Sequence, residues 1–315
     1  MKYCDPRYDV TFKKVFAQHK ELMLSFLNAL LPLRGDQLVQ SIEYLTPEMI
    51  PEVPNIKYSV VDVQCEDKAG RKFLVEMQMI WSEEFKSRIL FNASKAYVSQ
   101  LSKGDSYRLL QPVYSLNIVN DVCETDLPDN EYYHYYRLVH DRHTDKVIEG
   151  FHIAFVELPK FKPSDKGVKK MLNLWLRFLT EINEDTRKAP TELLEDPLVG
   201  QAVALMEEAG MTDAERYVYD KCLDNVRVEQ ALMRSAKEKG LAEGRAEGRA
   251  AGLGEGRAEG RAEGRAEGRA EGRVEGRVEG MALGEAKAKE ETARKMLASG
   301  YDRKTIRDLT GLEMP

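Results

Sequence analysis

Two short apolar segments carry the side chains best suited to chemistry. The first runs from Lys57 to Glu66 and contains Asp62, and the second runs from Arg71 to Ile80 and contains Glu76 and Gln78. Both are rich in β-branched and aromatic residues, so we expect two strands. Carboxylates inside apolar strands are costly to bury unless something neutralises their charge. A divalent metal ion does so, and Mg²⁺ prefers such hard oxygen ligands.

The turn between the segments decides whether these carboxylates meet. Residues Asp67 to Gly70 are typical of a hairpin turn. Directly opposite residues of an antiparallel pair have a constant sum of numbers and project to one face. If that sum is even, most simply 136 or 138, Asp62 lies beside Glu76 or one position off it. An even sum requires a turn of odd length or a bulge, for which Gly70 is suited. The alternative is that a carboxylate faces solvent on an edge strand.

The segments around this hairpin predict a mixed α/β sheet flanked by helices. Apolar residues at helical spacing extend from residue 9 to Pro32, and an earlier strand candidate lies at 42–45. A helix over 84–102 follows the hairpin, and a buried strand over 112–119 follows that helix. Further strands are predicted at 132–139 and 150–158, and further helices at 168–182, 190–208 and 212–237.

A tetrapeptide repeat, mostly Ala-Glu-Gly-Arg, begins at Gly240. Each glycine costs a helix about 1 kcal/mol relative to alanine, and the i,i+4 charge pairs of the repeat are like-charged. We therefore expect a flexible linker or a fraying helix. The alternative is a rod that drives oligomerisation or binds a partner. After it, short helices around Gly300 predict a solvated amphipathic end, or a loose helix-turn-helix.

Composition and charge limit the functions open to the chain. The formal net charge is −6, made of +1 over residues 1–120, −8 over 121–236 and +1 over the remainder. An acidic middle segment is a poor surface for phosphate, so a DNA groove would lie on the N-terminal third. No long apolar run or apolar leader occurs, and we expect a soluble, cytoplasmic protein with no membrane contact. Four scattered cysteines predict reduced structural thiols.

The order of several motifs carries a resemblance to a known family. Asp62 through Gln78 fits the pattern D-Xn-(D/E)-X-(K/Q). Other matching pieces are residues 9–16, 26–31, 61–63 and 75–78, with Arg88, Tyr97, Gly104, Tyr107 and the pair Pro112-Val113. Over roughly residues 5–235 the chain resembles the recombination-promoting nuclease (transposase-like) family of the PD-(D/E)XK nuclease superfamily. The resemblance implies a restriction-endonuclease-like mixed sheet flanked by helices, followed by a helical segment and a low-complexity C-terminal tail.

The resemblance also implies a ligand set. Asp62 and Glu76 would be metal ligands and catalytic residues, with the backbone carbonyl of Met77 as a third ligand. Asp9 matches an acidic residue of the first helix that adds a ligand or an outer contact in this superfamily. From the sequence alone, Asp9 can equally be the N-cap of that helix.

Gln78, the third catalytic candidate, stands where many superfamily members have lysine. An amide can orient the attacking water or a phosphate oxygen, but it cannot neutralise charge. Lys72 has the same strand parity as Glu76, and either lends that charge or is solvated.

The expected activity is Mg²⁺- or Mn²⁺-dependent hydrolysis of DNA phosphodiester bonds, in recombination or in defence against foreign DNA. The alternative is a nuclease-fold protein without turnover that binds DNA or regulates. DNA is the expected partner, and a homo-oligomer stays open. We divide the chain into a nuclease domain at 1–185, a helical extension at 186–239, the repeat at 240–285 and a helical tail at 286–315.

Overall fold

The computed structural model describes residues 2–49, 59–163 and 170–313. The predicted starts of the first hairpin strand, at 57–58, and of the helix at 168–169 lie outside these residues. The strands are β1 (Ile42–Leu45), β2 (Glu48–Met49), β3 (Ser59–Val60), β4 (Val63–Asp67), β5 (Lys72–Gln78), β6 (Val113–Val119), β7 (Tyr133–His140) and β8 (His143–Glu157). The helices are α1 (Asp9–Phe16), α2 (Lys20–Leu30), α3 (Glu83–Val98), α4 (Lys170–Glu181), α5 (Thr191–Glu195), α6 (Pro197–Leu205), α7 (Asp213–Ala298) and α8 (Arg303–Thr310).

Six of these strands form one mixed sheet in the order β1-β4-β5-β6-β8-β7. Pairings β1–β4, β4–β5 and β7–β8 are antiparallel, whereas β5–β6 and β6–β8 are parallel. Strands β2 and β3 form a separate antiparallel pair. Parallel neighbours need a crossover connection, which α3 provides between β5 and β6. The predicted α/β class with a mixed sheet flanked by helices is confirmed.

The two faces of the sheet pack against different helices. On one face Phe73 and Val75 of β5 join the main core, which also contains Trp175 of α4 and residues of α1, α2, α5 and α6. On the other face Leu74 packs with Ala93 of α3. Because side chains alternate along a strand, Glu76 and Gln78 share the α3 face with Leu74. The hairpin therefore presents its polar side chains to α3.

Two helical predictions differ from the structure in detail. The apolar pattern that starts at residue 9 forms two helices, α1 and α2, separated at residues 17–19. The predicted helix over 190–208 is broken because Asp196 caps α6, accepting from the amides of Leu198 and Val199, and Pro197 is its first residue. Helices α5 and α6 pack in the main core, which therefore continues beyond residue 185.

The chain divides into two compact units, Met1–Leu232 and Met233–Pro315. In the second unit residues 240–284, for which we expected a flexible linker or a fraying helix, are part of α7 with exposed side chains. Near its end Ala293 and Ile306 are buried, and Asp302 caps α8. Across the described residues, no helix combines the length and the apolar character needed to span a bilayer.

Candidate active site

The β4–β5 hairpin has the even register that brings the two carboxylates together. Val63 pairs with Val75, and Glu66 pairs with Lys72, so the numbers of opposite residues add to 138. Continued one residue past the end of β4, this register brings Asp62 opposite Glu76, and the hydrogen bond from the Met77 amide to Asp62 agrees with that position. The predicted even sum is confirmed, and its value is 138 and not 136.

The turn that sets this register is built around Asp67 and Gly70. Asp67 and Arg71 form its closing pair, and the Asp67 carboxylate accepts from the amides of Ala69 (3.0 Å) and Arg71 (2.9 Å). Three residues remain in the loop, an odd number. Gly70 has φ +81°, in the left-handed region that favours glycine. The predicted role of Gly70 in the register is confirmed.

Asp62 and Glu76 are held in different ways. Asp62 lies in a bend between β3 and β4, so its predicted position inside a continuous strand is wrong. Its Oδ2 accepts a hydrogen bond of 2.6 Å from the amide of Met77, which fixes the carboxylate against β5. Glu76 is 5% exposed, and its Oε1 accepts from Nδ2 of Asn92 on α3 at 3.3 Å.

Each carboxyl group of this pair has a raised pKa, so the two are not readily ionised at the same time. Burial, with the charge of Asp62 adding to its effect, raises the pKa of Glu76 to about 8. Burial also raises the pKa of Asp62 to about 6, with the charge of Asp9 adding to the effect. The Met77 amide and the charges of Lys13 and Arg88 act in the opposite direction on Asp62. No basic side chain within the described residues forms an ion pair with either carboxylate.

Two lysines near the site are engaged by other carboxylates. Lys13 binds Asp9 at 2.7 Å across one turn of α1. Burial alone would lower the pKa of Lys13, but Asp9, Asp62 and Glu76 raise it. Lys72 is ion-paired with Glu66, so it does not act as a solvated lysine or as a partner of Glu76.

Asp9 is not the N-cap of the first helix. The cap residue is Tyr8, and no side chain makes the capping hydrogen bond. The side chain of Asp9 is 54% exposed and its charge acts on Asp62, so Asp9 lies at the periphery of the site. The capping interpretation is wrong, and the role of Asp9 as a ligand or outer contact remains a proposal.

Both polar atoms of the Gln78 amide form hydrogen bonds with protein groups. Its Nε2 donates to the carbonyl of Ile80 at 2.8 Å, and its Oε1 accepts from Nη2 of Arg88 at 2.7 Å. Arg88 also lies over the ring of Phe85, 4.8 Å from the centroid. In this arrangement Gln78 holds an arginine instead of presenting a free amide.

The donor set at the site is two carboxylates with backbone oxygens. Among the described residues, no three His, Cys, Asp or Glu side chains are grouped to hold a metal ion. His134 is buried against Glu157, and the rings of His140 and His143 contact each other in a tilted arrangement at an exposed turn. All four cysteines are free, and Cys4, Cys65 and Cys123 are buried. An ion at this site would therefore take hard oxygen ligands and water, as Mg²⁺ and Mn²⁺ do.

Sequence reasoning missed the roles of three residues that surround the carboxylates. Asn92 contacts Glu76, Lys13 acts electrostatically on both acids, and Arg88 was recognised only as part of a family pattern. Arg88 and Asn92 are four residues apart on one face of α3, a spacing visible in the sequence. Which strand residues they meet depends on how the helix docks, and no local pattern states that.

No curated protein and no solved structure gave a match to the chain. One family, described as PD-(D/E)XK nuclease family transposase, matches residues 6–236. That range contains the whole sheet, the hairpin and the helices that contact it. With most of its length matched, the chain belongs to the PD-(D/E)XK nuclease family of transposases.

Proposed function

We propose that the protein is a metal-dependent DNA endonuclease that hydrolyses phosphodiester bonds at Asp62 and Glu76. The observation that carries the proposal is that these two carboxylates meet across the hairpin, with Glu76 buried and Asp62 half-buried. Neither has a basic ion-pair partner among the described residues. Burial of two neighbouring acids is unfavourable unless a cation is shared between them. Membership of a nuclease family makes DNA the expected substrate.

Mg²⁺ or Mn²⁺ fits this donor set, and its chemistry is to activate water and to offset charge on the phosphate. Asp62 and Glu76 would hold the ion from opposite strands. The amide of Met77 donates to Asp62, and the carbonyl of an extended residue points to the same side as its amide. That direction favours the Met77 carbonyl as a third oxygen. Asp9, at the rim, would contact the ion through water.

The chain's own residues would position the substrate. Lys13 and Arg88 are the cations whose charges act on both carboxylates, so a phosphate at the metal would lie within their electrostatic reach. Asn92 orients Glu76 through its amide. A role in recombination or in defence against foreign DNA is consistent with the transposase family and stays part of the proposal.

Plasmid cleavage tests the proposal. Wild-type protein with Mg²⁺ is expected to nick or linearise supercoiled plasmid, and EDTA is expected to stop it. Asp62→Asn and Glu76→Gln remove a ligand charge with little change of shape, and each should reduce the rate by more than about 100-fold. Glu66→Gln is the matched control, since Glu66 lies on the same hairpin but pairs with Lys72. Cleavage by the double variant Asp62→Asn, Glu76→Gln at the wild-type rate would contradict the assignment.

A nuclease-fold protein that binds DNA without cutting it is the second candidate. The hydrogen bonds that both amide atoms of Gln78 make to protein groups favour it, because they fix the amide toward Ile80 and Arg88 and not toward a water molecule. This function predicts DNA binding that is the same with and without Mg²⁺ or Mn²⁺, and no product at any concentration of either ion.

A further inference from the structure

Gln78 leaves the site short of a positive charge at the position where lysine is common in this superfamily, and Arg88 lies directly beside it. Nη2 of Arg88 donates to Oε1 of Gln78 at 2.7 Å. The amide is fixed from its other end by the carbonyl of Ile80, so its oxygen points to one place. The arginine is thereby tied to the strand that carries Glu76.

Arg88 is held by neutral groups alone. Its guanidinium lies 4.8 Å from the ring centroid of Phe85, and Gln78 accepts one of its protons. No carboxylate within the described residues is within ion-pair distance of it, whereas Lys13 binds Asp9 and Lys72 binds Glu66. Of these three cations, Arg88 is the one whose charge is not offset by a partner. Four of its five N–H donors stay available to an anion.

The docking of α3 on β5 explains why Arg88 is placed here. Four residues of a helix rise about 6 Å, and two residues of a strand rise about 6.6 Å. Arg88 and Asn92 are therefore spaced like Gln78 and Glu76. The pairs Arg88–Gln78 and Asn92–Glu76 both form, which shows that the helix and the strand run in opposite directions in register.

The carboxylates lie within reach of this charge. Gln78, which accepts from Arg88, lies two residues from Glu76 on the same face of β5. Asn92, four residues from Arg88 on α3, donates to Glu76 at 3.3 Å. An exposed guanidinium beside two metal-binding acids is suited to a phosphate oxygen, which it can bind through two parallel N–H groups.

We propose that Arg88 binds the phosphate that is cleaved and supplies the positive charge that Gln78 cannot, while Gln78 is a positioning residue that holds Arg88 without neutralising it. The proposal rests on the nuclease function proposed above. It transfers the charge from the strand to helix α3 and gives Gln78 a role other than orienting water.

Single-turnover cleavage of plasmid by the full chain with Mg²⁺ tests the role of Arg88. Arg88→Ala is expected to lower the rate by about 10²–10³-fold, the usual loss for one donor at a developing charge. Arg88→Lys keeps the charge but lacks the paired donors, so its loss is expected to be smaller. Arg142→Ala, an exposed arginine at the β7–β8 turn, is the matched control and should cleave at the wild-type rate.

Two rescue measurements separate a charge role from a structural one. Guanidinium ion below denaturing concentration should restore part of the activity of Arg88→Ala and none of that of Asp62→Asn. Adding Gln78→Lys to Arg88→Ala should also recover at least tenfold, since it returns the charge to the strand. Gln78→Ala alone should lose less than Arg88→Ala, because the Phe85 ring still supports the guanidinium.

The outcomes are distinguishable from a failure of the nuclease function. If wild type cuts and Asp62→Asn does not, but Arg88→Ala stays within about threefold of wild type, the role of Arg88 is overturned and the nuclease function stands. A deep loss in Arg88→Ala that neither guanidinium nor Gln78→Lys relieves also overturns it. A wild-type protein that does not cut overturns both proposals.

Discussion

At the scale of single residues, Glu76 is the residue of the hairpin whose burial is hardest to explain by packing alone. It is 5% exposed and faces a second carboxylate, and its pKa is raised to about 8 from the usual 4.5. A valine or leucine would pack there at lower cost. A buried carboxylate with a strongly raised pKa is typical of a functional site, where a bound ligand or ion stabilises its charge.

The raised pKa of Glu76 predicts a dependence of stability on pH. The folded state holds the Glu76 proton more tightly than the unfolded state does, so this group destabilises the fold as pH rises from about 4.5 toward 8. Glu76→Gln cannot ionise. In EDTA at pH 8, the melting temperature of the Glu76→Gln variant should therefore exceed that of wild type by several degrees. One kcal/mol corresponds to about 2–4 °C in a protein of this size. The difference in melting temperature should narrow toward pH 5.

The matched control for this pH series is Glu66→Gln. Glu66 forms an ion pair with Lys72, so its loss should give no such gain at pH 8. A gap between wild type and Glu76→Gln that stays constant from pH 5 to pH 8 would show that Glu76 is not buried as a carboxylic acid.

Parts of this residue-level arrangement could be predicted from the sequence. Strand parity and a turn glycine were sufficient to bring Asp62 opposite Glu76. The bend at Asp62 could not be predicted, because Val60, Val61 and Val63 around it all favour a strand. The partnership of Gln78 with Arg88 is a tertiary contact that no spacing within either segment encodes.

At the scale of elements, the β4–β5 turn controls the site through its register. A shift by one residue would move Glu76 and Gln78 to the opposite face of β5. Gly70 holds the turn with φ +81°, and a Cβ built there would lie 3.2 Å from Cγ of Gln111. The position therefore combines a conformational constraint with a close neighbour.

Gly70→Ala is expected to lower the free energy of unfolding by about 1–2 kcal/mol, the usual cost of a left-handed L-residue. Gly70→Asn should cost less, because asparagine tolerates this conformation. Gly35→Ala is a control for the conformational term alone, since Gly35 has φ +57° and no heavy atom near a built Cβ. Urea denaturation measures all three, and an unchanged stability of Gly70→Ala would contradict the turn described here.

The breaks between α5 and α6 and between α1 and α2 differ in how clearly the sequence signals them. Asp196 followed by Pro197 is a cap with proline at the first helical position, so the break between α5 and α6 was encoded in the sequence. The separation of α1 from α2 at residues 17–19 has no comparable cap or proline signal, and only the polar run from Gln18 to Glu21 marks it.

At the scale of the whole molecule, the family match and the first compact unit nearly coincide. The match ends at residue 236 and the unit at Leu232. The hairpin, α3 and the main core apart from Tyr3 all lie within the matched range. The glycine repeat lies outside it, in a long exposed helix that each glycine weakens by about 1 kcal/mol relative to alanine.

A chain that ends at residue 236 is therefore expected to cleave plasmid within about threefold of the full-length rate, because all proposed ligands and cations are retained. Circular dichroism and a melting curve establish that the shortened chain is folded. A folded 1–236 chain without activity would assign an essential role to the repeat, as expected for an oligomerising or partner-binding rod.

The central claim is that Asp62 and Glu76 together hold one divalent ion. Calorimetric titration of Mn²⁺ into the protein, alone and with a short DNA duplex, tests it most directly. We predict one site in wild type and in Glu66→Gln, and its loss in Asp62→Asn, in Glu76→Gln and in the double variant. Mn²⁺ binding by the double variant with the wild-type affinity and stoichiometry would contradict the account.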